Sequence, residues 1–237
     1  MLFKKHFPVL LILLIYGNAV HADNRLTFGV KLLGAGWNGE NSSGGSDFES
    51  DKGGQFAANV AYKINDFYVG LNVQQGEYEF KGDAPDRLSI FGRFTSNNVT
   101  IKQTDIDLLF GYYFWPQISL FVDIKSVTND WKSEPYQQTF TGLGLGASGY
   151  IPVNDKWTLF GSIGFIGKSD IDDNTDNKVG DGTSYAIEIG TVYTLNANNF
   201  LNFGVKTRHY EFEFRDSSKQ NYDINAVFIG YNYSFDL

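Results

Sequence analysis

The sequence predicts an all-β chain: a transmembrane antiparallel up-and-down β-barrel of ten strands, with eight as the fallback count. Three observations predict it. Segments of about ten residues alternate apolar and polar side chains, the period of a strand with one greasy and one polar face. The connections between them alternate long and short, as when long loops face one side of a membrane and tight turns the other. Aromatic residues make up 16% of the chain and gather near the segment ends, where membrane interfaces favour them.

The first 22 residues stand apart. Lys4 and Lys5 precede the apolar run Phe7 to Tyr16, and the small-residue ending Val20-His21-Ala22 follows. That is the layout of a cleaved secretory signal peptide, and the run is about half the ~20 residues a spanning helix needs. The expected division is therefore 1–22 signal peptide and 23–237 barrel. Losing Lys4 and Lys5 takes the formal charge from −8 to −10, which argues against nucleic acid as a partner. With no cysteine, a disulfide framework, thiol catalysis and thiolate metal sites are excluded.

The strands follow in order. Leu26, Phe28, Val30 and Leu32 oppose Thr27, Gly29 and Lys31, and a polar loop spans 38–53. Phe56 to Ile64 is the second strand, turning tightly at Asn65-Asp66 into a third that starts at Phe67. Its phase breaks at Gln75-Gly76, from a bulge or because the strand leaves the apolar zone. A second long loop covers 82–98. The fourth strand sets Ile106, Leu108, Phe110 and Tyr112 against Asp105 and Asp107; the fifth sets Ile118, Leu120, Val122 and Ile124 against Asp123 and Lys125. A loop at 128–137 precedes the sixth strand, residues 138–151, and the seventh runs from Trp157 to Lys168. After the acidic loop 169–182 come the eighth, Tyr185 to Tyr193, and the ninth, Leu201 to about Arg215. The tenth, Tyr222 to Leu237, ends in alternating Tyr231, Tyr233, Phe235 and Leu237.

On this parse the inward face carries Lys31, Asp105, Asp107, Asp123, Lys125, Lys168, Glu188, Lys206 and Arg208, mixed charges able to pair across a lumen. Trp115, Trp157, Tyr193, Tyr231, Tyr233 and Phe235 form an aromatic girdle near the short turns. A second belt is expected toward the long loops, from Trp37, Phe56, Trp131, Phe140, Tyr185, Tyr210, Phe212 and Tyr222. A soluble sandwich or lipocalin-like barrel would also alternate, with its apolar face inward. The Gly, Ser and Asn content of the polar face and its charges favour a narrow lumen there.

With its leader, alternating strands, loop asymmetry and aromatic terminal strand, the chain resembles the small bacterial outer-membrane β-barrel proteins, the opacity/porin-like family. It departs in ending on Leu237 where an aromatic is usual. The resemblance implies the outer membrane as location, its lipids and lipopolysaccharide as surroundings, and insertion by the barrel-assembly machinery with the terminal strand as signal. Family members serve as adhesins, small-solute pores, structural barrels and a few enzymes.

The chemistry-bearing residues are sparse. A barrel protease of the omptin kind pairs aspartates with an Asp/His pair near the outer rim. Asp105-x-Asp107 and His209 invite the comparison, but Lys206 and Arg208 set the inward parity and turn His209 outward. Thr207 stands two residues before it and Glu211 two after. The flanks of His209 match no lipase or deacylase motif. The acidic run Asp170 to Asn177 lacks the Gly and closing Glu of an EF-hand loop. The expectation is a non-enzymatic structural or adhesin-like surface barrel without cofactor, catalytic or metal site. A narrow pore lined by the inward charges is the alternative, and a barrel enzyme the less favoured one. Barrels of about eight strands fill with side chains and 16 or more leave a channel, so ten leans toward occlusion.

Overall fold

The structure, a computed structural model, describes residues 24–41, 47–89 and 92–237, so the expected signal peptide lies outside the described residues. The strands are β1 (Arg25–Asn41), β2 (Asp47–Glu49), β3 (Lys52–Ile64), β4 (Phe67–Glu79), β5 (Asp83–Ser89), β6 (Gly92–Asn97), β7 (Thr100–Trp115), β8 (Ile118–Trp131), β9 (Tyr136–Pro152), β10 (Trp157–Asp173), β11 (Lys178–Thr194), β12 (Asn199–Phe214) and β13 (Lys219–Asp236). Ten of them close a barrel in the order β1-β3-β4-β7-β8-β9-β10-β11-β12-β13, every pair antiparallel. The seam runs unbroken from Arg25↔Asp236 to Asn41↔Gln220.

The pairing register fixes the barrel's shape. Stepping from partner to partner, Leu26 leads through Tyr62, Val69, Phe110, Val122, Leu145, Phe165, Tyr185, His209 and Asp223 back to β1 at Asn38, twelve residues further along. A stagger of twelve over ten strands tilts them by about 40°. Strands of 16 to 18 residues, such as β7 and β13, then rise about 40 Å along the axis. A membrane's apolar band needs only about 25 Å, so a barrel of this height set in one would leave about 15 Å clear of it.

The outer wall marks where that happens. On β1, Leu26, Phe28, Val30 and Leu32 face out, then Gly34, Gly36, Asn38 and Glu40. On β8, Ile118, Leu120, Val122 and Ile124 give way to Ser126, Thr128 and Asp130. On β12, Leu201, Phe203 and Val205 give way to Thr207, His209, Glu211 and Glu213. The change falls at one level around the tilted barrel, and the exposed apolar residues of the barrel wall lie below it: Leu145, Ile163, Ile189, Val205 and Val227 among them.

Above that level the apolar residues turn inward. Trp37, Tyr78, Ile101, Val127, Trp131, Phe140, Ile171, Tyr210, Phe212, Tyr222 and Ile224 fill the long-loop half and are at most 2% exposed. The expected second belt is corrected here. Phe56 and Tyr185 do face outward, but Trp37, Trp131, Phe140, Tyr210, Phe212 and Tyr222 point into the lumen and pack on one another. Beyond the lipid, a strand's outer face meets water and only its inner face can bury apolar area.

The connections on that side are shorter than expected for the same reason. The loops placed at 128–137 and 169–182 shrink to residues 132–135 and 174–177, because the strands on either side continue past the apolar band. β4 crosses Gln75-Gly76 with its register intact on both sides, so it leaves the apolar zone there without a bulge. The loop expected at 82–98 contains the hairpin β5–β6, whose Ala84 and Leu88, with flanking Phe80 and Val99, pack onto the aromatic core as a cap. Asn41 and Tyr136 latch it: Asn41 Nδ2 donates to the Ala84 carbonyl (3.1 Å) and the Tyr136 hydroxyl to the Leu88 carbonyl (2.6 Å).

At the other end the turns are tight. Asn65, at φ 53°, takes the left-handed conformation that Asn tolerates, joining β3 to β4 in two residues.

Candidate functional site

Below the aromatic core lies a layer of charge. Asp105 and Asp107 share a face of β7, two residues apart, and Lys125 on neighbouring β8 reaches both, at 2.9 and 2.5 Å. From across the barrel Arg208 on β12 donates to Asp105 Oδ2 at 2.5 Å. Lys31 on β1 pairs with Glu188 on β11 at 2.6 Å and lies 4.5 Å over the Phe228 ring. Phe228, an aromatic among the inward residues of the last strand, is thereby a cation's partner. Lys206 donates to Gln74 Oε1 at 3.5 Å, and Gln74 donates to Gln55, which donates to the Tyr78 hydroxyl.

Eight of the nine expected lumen charges thus face inward: Asp105, Asp107, Asp123 and Glu188 against Lys31, Lys125, Lys206 and Arg208. Their formal charges cancel, which makes burial of so many ions tolerable. Lys168 is the exception and a correction. The register of β10 slips between Ile166 and Ser169, so the phase of the strand flips. Lys168 ends up 71% exposed, 3.4 Å from Asp181. A bulge is invisible to strict alternation.

The layer roofs a shallow vestibule. Toward the short turns, inward residues such as Asn59, Asn72, Phe121, Ser148, Ser162 and Gly190 are only partly buried. Above the charges the inward positions are almost all buried. Small residues make room for large neighbours here, as where Asp123 overlies Gly144 and the Phe121 ring overlies Gly146. The lumen is therefore open at one end and filled at the other.

The expected girdle residues lie on the outer wall by the short turns. Trp157 packs on Tyr193 (4.7 Å) and Tyr233 on Phe235 (6.0 Å), with Trp115 and Tyr231 exposed nearby.

On the outer wall above the apolar band, His209 Nδ1 lies 2.7 Å from Asp223 Oδ1, its Nε2 3.3 Å from Glu211, and its ring stacks on Tyr185 at 4.9 Å. Sequence reasoning missed Asp223; the cross-strand register His209↔Asp223 would have supplied it. Asp105 and Asp107 lie inside the wall and His209 outside it, so the three do not converge.

In the acidic stretch, Asp173 is occupied by the Thr175 and Asn177 amides and the Thr175 hydroxyl, and Lys178 bridges Asp170 and Asp181 at 2.7 and 2.6 Å. Among the described residues no cluster of three or more acidic or histidine side chains is arranged to hold a metal ion.

No family model matches the sequence, and no curated protein does. Similarity is found among solved structures. The outer membrane protease OmpT from Escherichia coli is 9% identical, with a TM-score of 0.63, over 92% of this chain and 99% of that one. The translocator domain of the autotransporter NalP from Neisseria meningitidis is 10% identical (TM-score 0.46, 92% and 90% covered). The attachment invasion locus protein Ail of Yersinia pestis is 11% identical (TM-score 0.41, 90% and 99% covered). At such identities the likeness to OmpT is one of architecture, and with the closed register it establishes that this chain has the fold of a ten-stranded bacterial outer-membrane β-barrel.

Proposed function

We propose that the protein is a non-enzymatic, non-conducting barrel of the outer membrane. On this reading it holds a rigid polar stump and its loops above the lipid as a structural or adhesin-like surface. The observation that carries it is the filled outer half of the lumen. A pore needs a continuous polar path, and here the path ends at buried Trp37, Trp131, Tyr210 and Tyr222 under the β5–β6 cap. The charges of the vestibule serve, in this reading, to neutralise one another rather than to select a solute.

The carboxylates that an omptin-like protease would offer are held in ion pairs with Lys125 and Arg208. The outward His209 has carboxylate and tyrosine neighbours but no serine, threonine or cysteine among its bonded partners. Both features support a non-enzymatic role. The terminal strand β13, paired along its length with β12 and β1, suits the part of assembly signal.

Planar-bilayer recording tests the proposal. Purified protein is expected to insert without steady conductance; stable openings altered by Lys125→Glu would favour the pore. Attachment of inert beads coated with the protein to host cells or matrix, lost when residues 82–98 are replaced by a short turn, would support the surface role.

A further inference from the structure

Mutual neutralisation accounts for six of the eight inward charges. Lys125 and Arg208 hold Asp105 and Asp107, and Lys31 holds Glu188. Asp123 and Lys206 are left over. Among the described residues neither has an ion-pair partner. Asp123 is 9% exposed, and its Oδ1 is buried without a hydrogen-bond partner. Lys206 makes one long bond, 3.5 Å to Gln74 Oε1, although an ammonium carries three donors. Burying an ion without a partner carries a cost that the other six avoid.

Register sets the two level with each other on opposite walls. From Asp123 the row of partners runs through Gly144, Ile166 and Ser184 to Tyr210 on β12. A stagger of twelve over ten strands lifts that row by about five residues in four steps, so the point on β12 level with Asp123 is about residue 205. Lys206 is the inward residue there. Ten strands about 4.8 Å apart and tilted by about 40° make a ring roughly 20 Å across. Side chains reaching in by about 3 Å from Asp123 and about 6 Å from Lys206 leave roughly 10 Å between the two charges.

We propose that the vestibule binds a small zwitterion of dipeptide length, its ammonium on Asp123 and its carboxylate on Lys206. A dipeptide spans about 6 Å between its end groups, and one hydrogen bond at each end completes the span. Phe121, two residues from Asp123 on the same face, puts an aromatic ring beside the ammonium. Half-buried Asn72 and Ser162 face the lumen near the same level, with groups able to bond a peptide unit. A lone cation would satisfy Asp123 and leave Lys206 unanswered, and a lone anion would do the reverse, so a net-neutral ligand carrying both charges is the match. The open end of the lumen at the short turns is the way in. A conducting barrel would overturn the surface role proposed above and leave this site in place.

The experiment uses the full mature barrel in detergent micelles and follows uptake of tritiated glycylglycine by equilibrium dialysis. Saturation at one molecule per barrel is the expected result. N-acetyl-glycylglycine and glycylglycine amide, each lacking one of the two charges, are expected to bind at least about tenfold more weakly. Asp123→Asn and Lys206→Gln are each expected to weaken glycylglycine uptake by about tenfold, and Glu213→Gln, on the outer wall, to leave it intact. The blocked dipeptides need only the wild-type barrel, so they decide the matter where a variant does not fold. No saturable uptake of glycylglycine overturns the site. So does undiminished binding of either blocked form, or uptake untouched in either lumen variant.

Discussion

Arg208 on β12 and Asp105 on β7 meet at 2.5 Å across the lumen, 103 residues apart in sequence. No strand between them carries the contact, so the pair ties opposite walls together. It is also almost wholly buried, at 2% and 1% side-chain exposure. Removing one partner leaves the other charge without compensation, which is costlier than removing both.

Asp105→Asn is therefore expected to destabilise the folded barrel by about 3–5 kcal/mol in equilibrium urea unfolding in vesicles. Replacing Asp105 by Leu together with Arg208→Met and Lys125→Met is expected to recover part of that loss. Asp107 then keeps an unpaired charge, so recovery stays incomplete. Equal losses in the single and triple variants would show that the wall-to-wall pair is not what matters.

The aromatic core above the charges behaves as the interior of a soluble protein. Trp131 is 1% exposed and packs edge-on against Tyr136 at 5.0 Å. Trp131→Ala should cost about 3–5 kcal/mol through lost burial and the cavity left behind. Leu145→Ala, 64% exposed on the outer wall, should cost much less in the same assay. The comparison separates a packed core from a lipid-facing belt, since a belt residue at Trp131 would behave like Leu145.

How far the sequence speaks for itself is visible on β8. Ile118, Leu120, Val122 and Ile124 keep a strict alternation that reads as a lipid-facing strand. Past Lys125 the apolar positions shift to Val127 and Trp131, on the inward face that stays buried along the whole strand. A period of two carries no label for inside or outside, so by alternation the strand ends where only its solvent changes. The inward charges on the lower strands were legible because lipid pins their parity. Lys168 was not, because one extra residue in β10 resets the count, and the His209–Asp223 pair was not, because it depends on register between strands.

The level at which the outer wall turns polar can be tested directly. Ile189 is 59% exposed within the apolar band, and Thr128 faces outward above it. Ile189→Arg is expected to cost about 2–4 kcal/mol, the penalty for an arginine near the bilayer midplane. Thr128→Arg is expected to stay within about 0.5 kcal/mol. Similar losses at both sites would mean that lipid covers the whole wall and that no stump projects.

The connection between β12 and β13 offers a pH-dependent element outside the membrane. Asp216 Oδ1 accepts from the Ser218 hydroxyl at 2.5 Å and from the Ser218 amide at 2.9 Å. These bonds hold its carboxyl below the usual carboxylate range. A lowered folded pKa means that the turn's extra stability is present in full above the ordinary carboxylate range. It is lost as pH falls through the lowered value. Hydrogen exchange at the Ser218 amide should therefore show protection that fades only at strongly acidic pH, and Asp216→Asn should flatten that dependence. Ser217, at φ 65°, holds the left-handed conformation that a side chain disfavours. Ser217→Gly should relieve that strain and raise protection of the same amide at every pH, leaving the acid-dependent loss in place; a variant that removes the pH dependence as well would assign it to the backbone and not to Asp216.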